Sequence, residues 1–106
     1  MTNKKAIIKD AQRIADDFAN KIQSSRDLNT LINVIKGNIN FIKNYGVEEF
    51  LAINEIKINK HIIGNKSAFK MLKDVVKERK AKYTKEELLS FLGYLARELT
   101  YFKSKS

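Results

Sequence analysis

The sequence predicts a single all-α domain over residues 1–106, a compact antiparallel bundle of about five helices, and three observations support this. The chain has no proline and only four glycines, so helices can run long and the glycines mark their ends. Apolar residues recur at intervals of three and four, which is the period of one helix face. The connections between these segments are short, and short connections favour antiparallel neighbours.

The first two helices are predicted from about Lys4 to Gln23 and from about Leu28 to Tyr45. Between them, Ser24 and Asp27 offer side chains that can cap a new helix. Gly46 follows the second helix and is predicted to end it in the left-handed αL conformation. The apolar residues that face the core in these two helices are Ile7, Ala11, Ile14, Phe18, Ile22, Leu28, Leu31, Ile32, Ile35, Ile39 and Ile42.

Three further helices are predicted in the second half of the chain. The third runs from about Val47 to Ile63 and is apolar around much of its circumference, so it is expected to be well buried or to contact another subunit. The fourth runs from Ser67 to about Lys82. The fifth begins with a T-x-x-E capping box formed by Thr84 and Glu87. Its apolar seam comprises Leu88, Leu92, Leu95, Leu99 and Phe102.

The composition indicates an anionic partner. The formal net charge is +9 and the pI is about 9.8, and a basic domain of this size usually binds nucleic acid, an acidic membrane surface or an acidic protein. Of the 21 basic residues, 17 are lysine and four are arginine. Lysine acts as a mobile point charge that suits phosphate, whereas arginine suits bidentate contact with bases. The composition therefore favours backbone binding over sequence recognition.

Five lysines on the predicted fourth helix form the principal candidate site. They recur at intervals of four, three, four and three, and they fall within an arc of roughly 80° on a helical wheel. Like charges one turn apart repel by a few tenths of a kcal/mol per pair, so a stripe of one sign favours an anionic ligand. The alternative is a solvated face without a ligand. The predicted phosphate contacts are Lys66, Lys70, Lys73, Lys77 and Lys80.

The polar side of the second helix carries a second candidate surface. Asn33, Lys36, Asn40 and Lys43 follow the same helical spacing, and little negative charge offsets these lysines. We expect them to form a secondary contact surface for the same polyanion.

Aromatic residues beside the leucine seam of the fifth helix allow two interpretations. Phe91, Tyr94 and Tyr101 could form a platform on which unpaired bases stack. Alternatively, the rings pack against neighbouring helices with the hydroxyl groups at the rim, and this interpretation is favoured.

The residue types needed for catalysis or for a cofactor are absent or isolated. There is no cysteine, which excludes disulfides and thiolate zinc sites and favours an intracellular, cytoplasmic location. His61 is the only histidine and has no second ligand at a metal-binding spacing. The sequence therefore predicts no enzyme activity, metal, cofactor or small-molecule substrate. No apolar run is long enough to cross a membrane, and a membrane partner is not expected.

A helix-turn-helix DNA-binding regulator is an alternative function. The third helix, a turn at Gly64-Asn65 and the fourth helix have suitable lengths, and Asn65, Ser67 and Lys70 would face the groove. However, the lysine stripe continues well beyond the first turn. A recognition helix contacts bases mainly with its first residues and tends to use Arg, Gln or Asn there.

Three parts of the chain together carry a family resemblance. They are the segment Phe41–Gly46 with the apolar helix Val47–Ile53 after it, the basic helix Lys66–Lys82, and the aromatic, basic C-terminal helix Leu89–Lys103. Their order resembles the small-subunit family of CRISPR ribonucleoprotein effector complexes, over about residues 28 to 103. Members of that family are short, basic, all-helical bundles.

The resemblance implies a non-catalytic subunit of an antiviral complex. Several copies would line the inner filament and contact the target strand, the displaced strand or the guide–target duplex through basic side chains. We therefore predict sequence-independent binding to the backbone of RNA or single-stranded DNA, with other subunits and copies of this chain as protein partners. The rival from another class is an interaction or inhibitor module that binds an acidic protein.

Overall fold

Five α-helices make up the part of the protein that the computed structural model describes, which comprises residues 3–22, 24–53 and 66–105. The Cα radius of gyration is 13.1 Å, close to the value of about 13 Å expected for a compact domain of 100 residues. The prediction of an all-α bundle is confirmed. The helices are α1 (Lys4–Lys21), α2 (Ser25–Tyr45), α3 (Val47–Leu51), α4 (Lys66–Arg79) and α5 (Lys85–Lys105).

The core forms where α5 packs against both α1 and α2, while α3 and α4 contact α2 and each other. The leucines of the α5 seam are buried, as their spacing predicts. Each such side chain contributes about 1.5–3 kcal/mol by leaving water. The fully or almost fully buried apolar residues on the other helices include Ile7, Ala11, Ile14, Phe18, Leu28, Leu31, Ile32, Ile35, Ile42, Phe50, Phe69, Leu72 and Val76.

Side-chain caps explain where the long helices begin. The Asn3 side chain accepts a hydrogen bond from the Ala6 amide at 2.9 Å and caps α1. Ser24 caps α2 by the same means, and the helix therefore starts at Ser25 rather than near Leu28 as predicted. The predicted capping box of α5 is present. The Glu87 amide donates to Thr84 Oγ1 at 3.1 Å, and the Thr84 amide donates to Glu87 Oε1 at 2.9 Å.

Gly46 joins α2 to α3, but its conformation differs from the predicted αL cap. Its φ of +98° is positive as expected, while its ψ of 165° lies in a region that essentially only glycine occupies. The Gly46 amide donates to the Ile42 carbonyl at 2.8 Å, and its carbonyl accepts from the Phe50 amide at 3.2 Å. One residue therefore ends α2 and starts α3.

α3 is shorter than predicted. It ends at Leu51 and Ile53 is not helical, so the prediction of one continuous helix from Val47 to Ile63 is wrong. The Ile53 amide donates to the carbonyl three residues earlier at 3.1 Å, a tight bond typical of a helix end. The rest of the predicted helix, with its proposed subunit contact, lies outside the described residues, as do His61 and the Gly64-Asn65 turn.

α4 also ends earlier than predicted, at Arg79 instead of about Lys82. The Arg79 carbonyl accepts hydrogen bonds from the amides of Lys82 at 3.1 Å and Tyr83 at 3.0 Å. These bonds form a turn that leads into α5. Lys80, which was predicted to lie on the helix, therefore lies in this turn.

Candidate nucleic-acid interface

Two members of the α4 lysine stripe (Lys66, Lys70, Lys73, Lys77 and Lys80) contact α3 or the residues just after it. Lys73 is half-buried, and its Nζ donates a hydrogen bond to the Ile53 carbonyl at 3.0 Å. Lys80 Nζ lies 3.0 Å from Glu48 Oε1. Glu48 is in the first turn of α3 and Ile53 follows its last turn, so these two amines join both ends of α3 to α4.

The remaining lysines of the stripe differ from one another. Lys70 is exposed and has a loose ion pair with Asp74, at 4.0 Å. Lys77 is exposed and has no ion pair within the described parts of the chain. The side chain of Lys66 lies outside the description. The stripe is therefore not a continuous row of unengaged ammonium groups, and its role in phosphate binding stays a prediction.

The α2 face (Asn33, Lys36, Asn40 and Lys43) is exposed along its whole length. No Asp or Glu occurs between Leu28 and Tyr45. Neither lysine has an ion pair with any residue that the structure describes. The predicted secondary surface thus presents two ammonium groups to solvent without a carboxylate beside them.

Gly37 lies on the same exposed side of α2 as the α2 face. A Cβ built at this position would have no atom within 4 Å. No side chain therefore projects from the middle of the α2 face at Gly37, and a ligand could approach the helix backbone closely there.

An exposed tyrosine adjoins the α2 face at the end of the helix. Tyr45 is 65% exposed, and its ring centroid lies 4.9 Å from that of the half-buried Phe41 at an interplanar angle of 42°. Tyr45 was not predicted as a site residue from the sequence. Its place in the last position before Gly46, beyond the core contacts of the helix, is the signal that indicates an exposed ring.

The three aromatic residues proposed as a stacking platform do not share one surface. Phe91 is fully buried, with the Arg79 guanidinium 4.7 Å from its ring centroid. Tyr94 is half-buried against the core. Tyr101 is 53% exposed, and Lys105 Nζ lies 4.7 Å from its ring centroid. A three-ring platform on α5 is therefore not formed.

A buried ion pair between α1 and α4 was not predicted from the sequence. Arg79 is 2% exposed, and its Nε and Nη2 each donate to one oxygen of Asp10 at 2.8 Å. The hydroxyl of Tyr83 donates to Asp10 Oδ2 at 2.6 Å, and Arg13 donates to the other oxygen at 3.0 Å. The carboxylate thus accepts four hydrogen bonds, and bidentate geometry of this kind is the strongest that an ion pair adopts.

These contacts change the acidity of the groups involved. Burial alone would raise the pKa of Asp10, but hydrogen bonds from Arg79 and Tyr83, with the charges of Arg79 and Lys82, lower it to about 2. Burial and the hydrogen bond to Asp10 both raise the pKa of Tyr83. Burial opposes the charge of Arg79, yet its bonds to Asp10 raise its pKa on balance. Arg79 and Asp10 therefore stay charged and paired over the physiological range.

A groove of about 470 Å³ lies between α1 and α4. Its floor includes Ile14, Phe18 and Val75, and its rim carries both acidic and basic side chains. A rim of mixed sign does not select a polyanion, so the groove is a weaker candidate than the α2 face. Among the described residues, no group of three potential metal ligands lies together.

No family model, curated protein or solved structure matches this chain. None of the described helices has the length and apolar character needed to cross a bilayer. The helix-turn-helix interpretation depends on residues 54–65, which lie outside the described residues, so this alternative stays a prediction.

Proposed function

We propose that the protein binds the backbone of RNA or single-stranded DNA without sequence preference, as a non-catalytic subunit of a ribonucleoprotein complex. The α2 face supports this proposal most directly. It presents Lys36 and Lys43 on one exposed helix that has no carboxylate between Leu28 and Tyr45. Lys77, and Lys70 with its loose partner, would extend the basic surface onto α4.

Binding would follow from charge neutralisation and counterion release. Lys36 and Lys43 are two helical turns apart, a rise of roughly 10 Å along the axis, so one extended strand can contact both. Asn33 and Asn40 carry amide donors that can bind phosphate or sugar oxygens without reading a base. Each phosphate that is neutralised on a single strand adds about 0.7 to the slope of log K against log salt concentration.

The assignment to a CRISPR-type effector complex follows from the family resemblance. Lys43 lies within Phe41–Gly46, one of the segments that carry that resemblance, and it is exposed. A small subunit that lines a filament needs a basic face and no catalytic group. We place this function in the cytoplasm, in antiviral defence, with other subunits as partners.

The first test is fluorescence anisotropy with a labelled single-stranded oligonucleotide of mixed sequence, titrated at several salt concentrations. We expect the double variant Lys36→Glu/Lys43→Glu to lose roughly tenfold or more in affinity and its salt slope to fall by about 1.4. Lys5→Glu/Lys9→Glu on α1 is the matched control, because it removes the same charge from two other exposed lysines. Its affinity should change much less.

Two outcomes would contradict the proposal. Equal losses in the two double variants would mean that net charge, and not the α2 face, attracts the strand. No binding by the parent protein at low salt would instead favour the module that binds an acidic protein.

A further inference from the structure

The α2 surface has an aromatic edge opposite its lysine edge. At about 100° per residue around the helix axis, Lys36 and Lys43 lie along one edge of the exposed half. Asn33, Asn40 and Gly37 occupy the middle. The rings of Phe41 and Tyr45 lie at the other edge, outside the α2 face itself, and contact each other. This lateral order of cation, amide and ring matches that of a nucleotide, with its phosphate on one side and its base on the other.

From this order we infer that Tyr45 stacks on an unpaired base of a strand whose phosphates lie over Lys36 and Lys43. The inference rests on the proposed function and specifies its ligand as single-stranded. Bases inside a duplex already have both faces covered by their neighbours, whereas a single strand offers free faces to aromatic side chains.

The exposure of Tyr45 and its surroundings suit this role. The residue is 65% exposed, and Phe41 supports its ring from the helix side at 4.9 Å. Within the described residues, Phe41 is its only ring contact, and no cation lies over it. The Phe41 side chain is half-buried, which fixes one side of the platform and reduces the conformational entropy lost on stacking.

Gly46 keeps the ring of Tyr45 at the very end of α2. Because its φ of +98° and ψ of 165° stop α2 directly after Tyr45, no further turn of α2 covers the ring. The chain instead turns into α3, whose Phe50 points into the core with 0% exposure. Within the described part of the chain, a strand that crosses α2 at Gly37 therefore reaches a ring that is 65% exposed.

Tyr101 provides a matched control on α5. Tyr45 and Tyr101 are the two large apolar side chains that stand exposed in the described structure. Tyr101 already has Lys105 Nζ at 4.7 Å from its ring centroid and Phe102 against its edge at 6.0 Å. Comparing Tyr45→Ala with Tyr101→Ala therefore distinguishes a loss of affinity that is specific to Tyr45 from one that the removal of any exposed ring would cause.

The experiment compares three probes of about 12 nucleotides that carry equal numbers of phosphates per strand: a mixed-sequence strand, an abasic strand and a duplex. Tyr45→Ala should weaken binding to the base-bearing strand by at least about fivefold and leave the affinity for the abasic strand and the duplex unchanged. Tyr45→Phe should retain the parent affinity. Tyr101→Ala should bind all three probes as the parent does.

A spectroscopic signal tests the stacking separately from affinity. The chain has four tyrosines and no tryptophan, so its emission comes from tyrosine. Binding of the base-bearing strand should quench the part of this emission that comes from Tyr45. Tyr45→Phe should therefore show less quenching while it binds with the parent affinity.

The outcomes distinguish this inference from the proposed function. Equal losses by Tyr45→Ala on the abasic and base-bearing strands, or unchanged quenching in Tyr45→Phe, would overturn the stacking role and leave backbone binding intact. Unaltered affinity in Lys36→Glu/Lys43→Glu would overturn backbone binding itself. If Tyr45→Ala changed only self-association or the capture of a protein partner, the ring would belong to a protein interface and the inference would be wrong.

Discussion

α2 and α4 carry basic stripes with the same sequence spacing, yet their cations have different surroundings. Lys73 on α4 and Lys80 in the turn after it bind the two ends of α3, and the buried Arg79 binds Asp10 on α1. On α2, Lys36 and Lys43 project into solvent without an ion pair to any described residue. Lys73, Lys80 and Arg79 therefore stabilise the fold, whereas Lys36 and Lys43 on α2, like the exposed Lys77 on α4, are available to a ligand.

The difference arises from the position of each stripe relative to neighbouring helices. The α2 lysines lie on the solvent-exposed half of the helix, opposite the core. The α4 stripe lies to one side of the exposed face, with Ser67 and Asp74 nearer its centre, and this side meets α3. Helical spacing predicts which residues share a face, but not which helix covers that face.

The largest effect should come from the most buried cation of α4. Replacing Arg79 by Met leaves the Asp10 carboxylate without its bidentate partner, so we expect the free energy of unfolding to fall by about 3 kcal/mol or more. Urea denaturation followed by circular dichroism measures this loss. Arg97→Met, at an exposed position of α5, is the matched control and should change the free energy by less than about 0.5 kcal/mol. Similar effects of the two substitutions would show that the buried pair does not hold α1 against α4.

The pH dependence of stability provides a second check on this pair. Because the pKa of Asp10 falls from 3.8 to about 2 on folding, its contribution is present above about pH 4 and is lost as the pH falls toward 2. This pKa shift corresponds to a contribution of roughly 2 kcal/mol to the free energy of unfolding. Asp10→Asn should be less stable than the parent at pH 7 and should lack this part of the acid dependence. An unchanged acid profile in that variant would contradict the assignment.

Several local features of the fold could be predicted from the sequence, but these ion pairs could not. The capping box at Thr84 and the α5 seam depend on residues within one or two turns, so their spacing is sufficient. The bond between Arg79 and Asp10 joins residues 69 positions apart, and no local pattern specifies it. The sequence also grouped Lys73 with the phosphate contacts, because its partner Ile53 lies beyond the end of α3, where a longer helix was predicted.

A smaller effect should separate the structural lysines of α4 from the binding lysines of α2. Lys73→Met/Lys80→Met removes one hydrogen bond to a carbonyl and one exposed ion pair, so the free energy of unfolding should fall by about 1–2 kcal/mol. Its affinity for a single strand should decrease less than that of Lys36→Met/Lys43→Met, whose stability should stay within about 0.5 kcal/mol of the parent. Denaturation and anisotropy on the parent and these two double variants measure both quantities. A greater loss of affinity in the α4 variant would reverse the comparison and restore the α4 lysine stripe as the main site.

The smallest effect concerns two exposed glycines that differ only in the surface on which they lie. A Cβ at Gly37 on α2 or at Gly93 on α5 would meet no atom within 4 Å, so Gly→Ala at either position should stabilise its helix by about 0.5–1 kcal/mol. Gly→Glu tests the two surfaces separately. Gly37→Glu places a carboxylate in the middle of the α2 face, whereas Gly93→Glu places one on the exposed side of α5. Anisotropy should show weaker binding for Gly37→Glu than for Gly93→Glu at equal net charge. Since neither substitution removes an existing side chain, equal affinities would mean that no strand crosses α2 at Gly37.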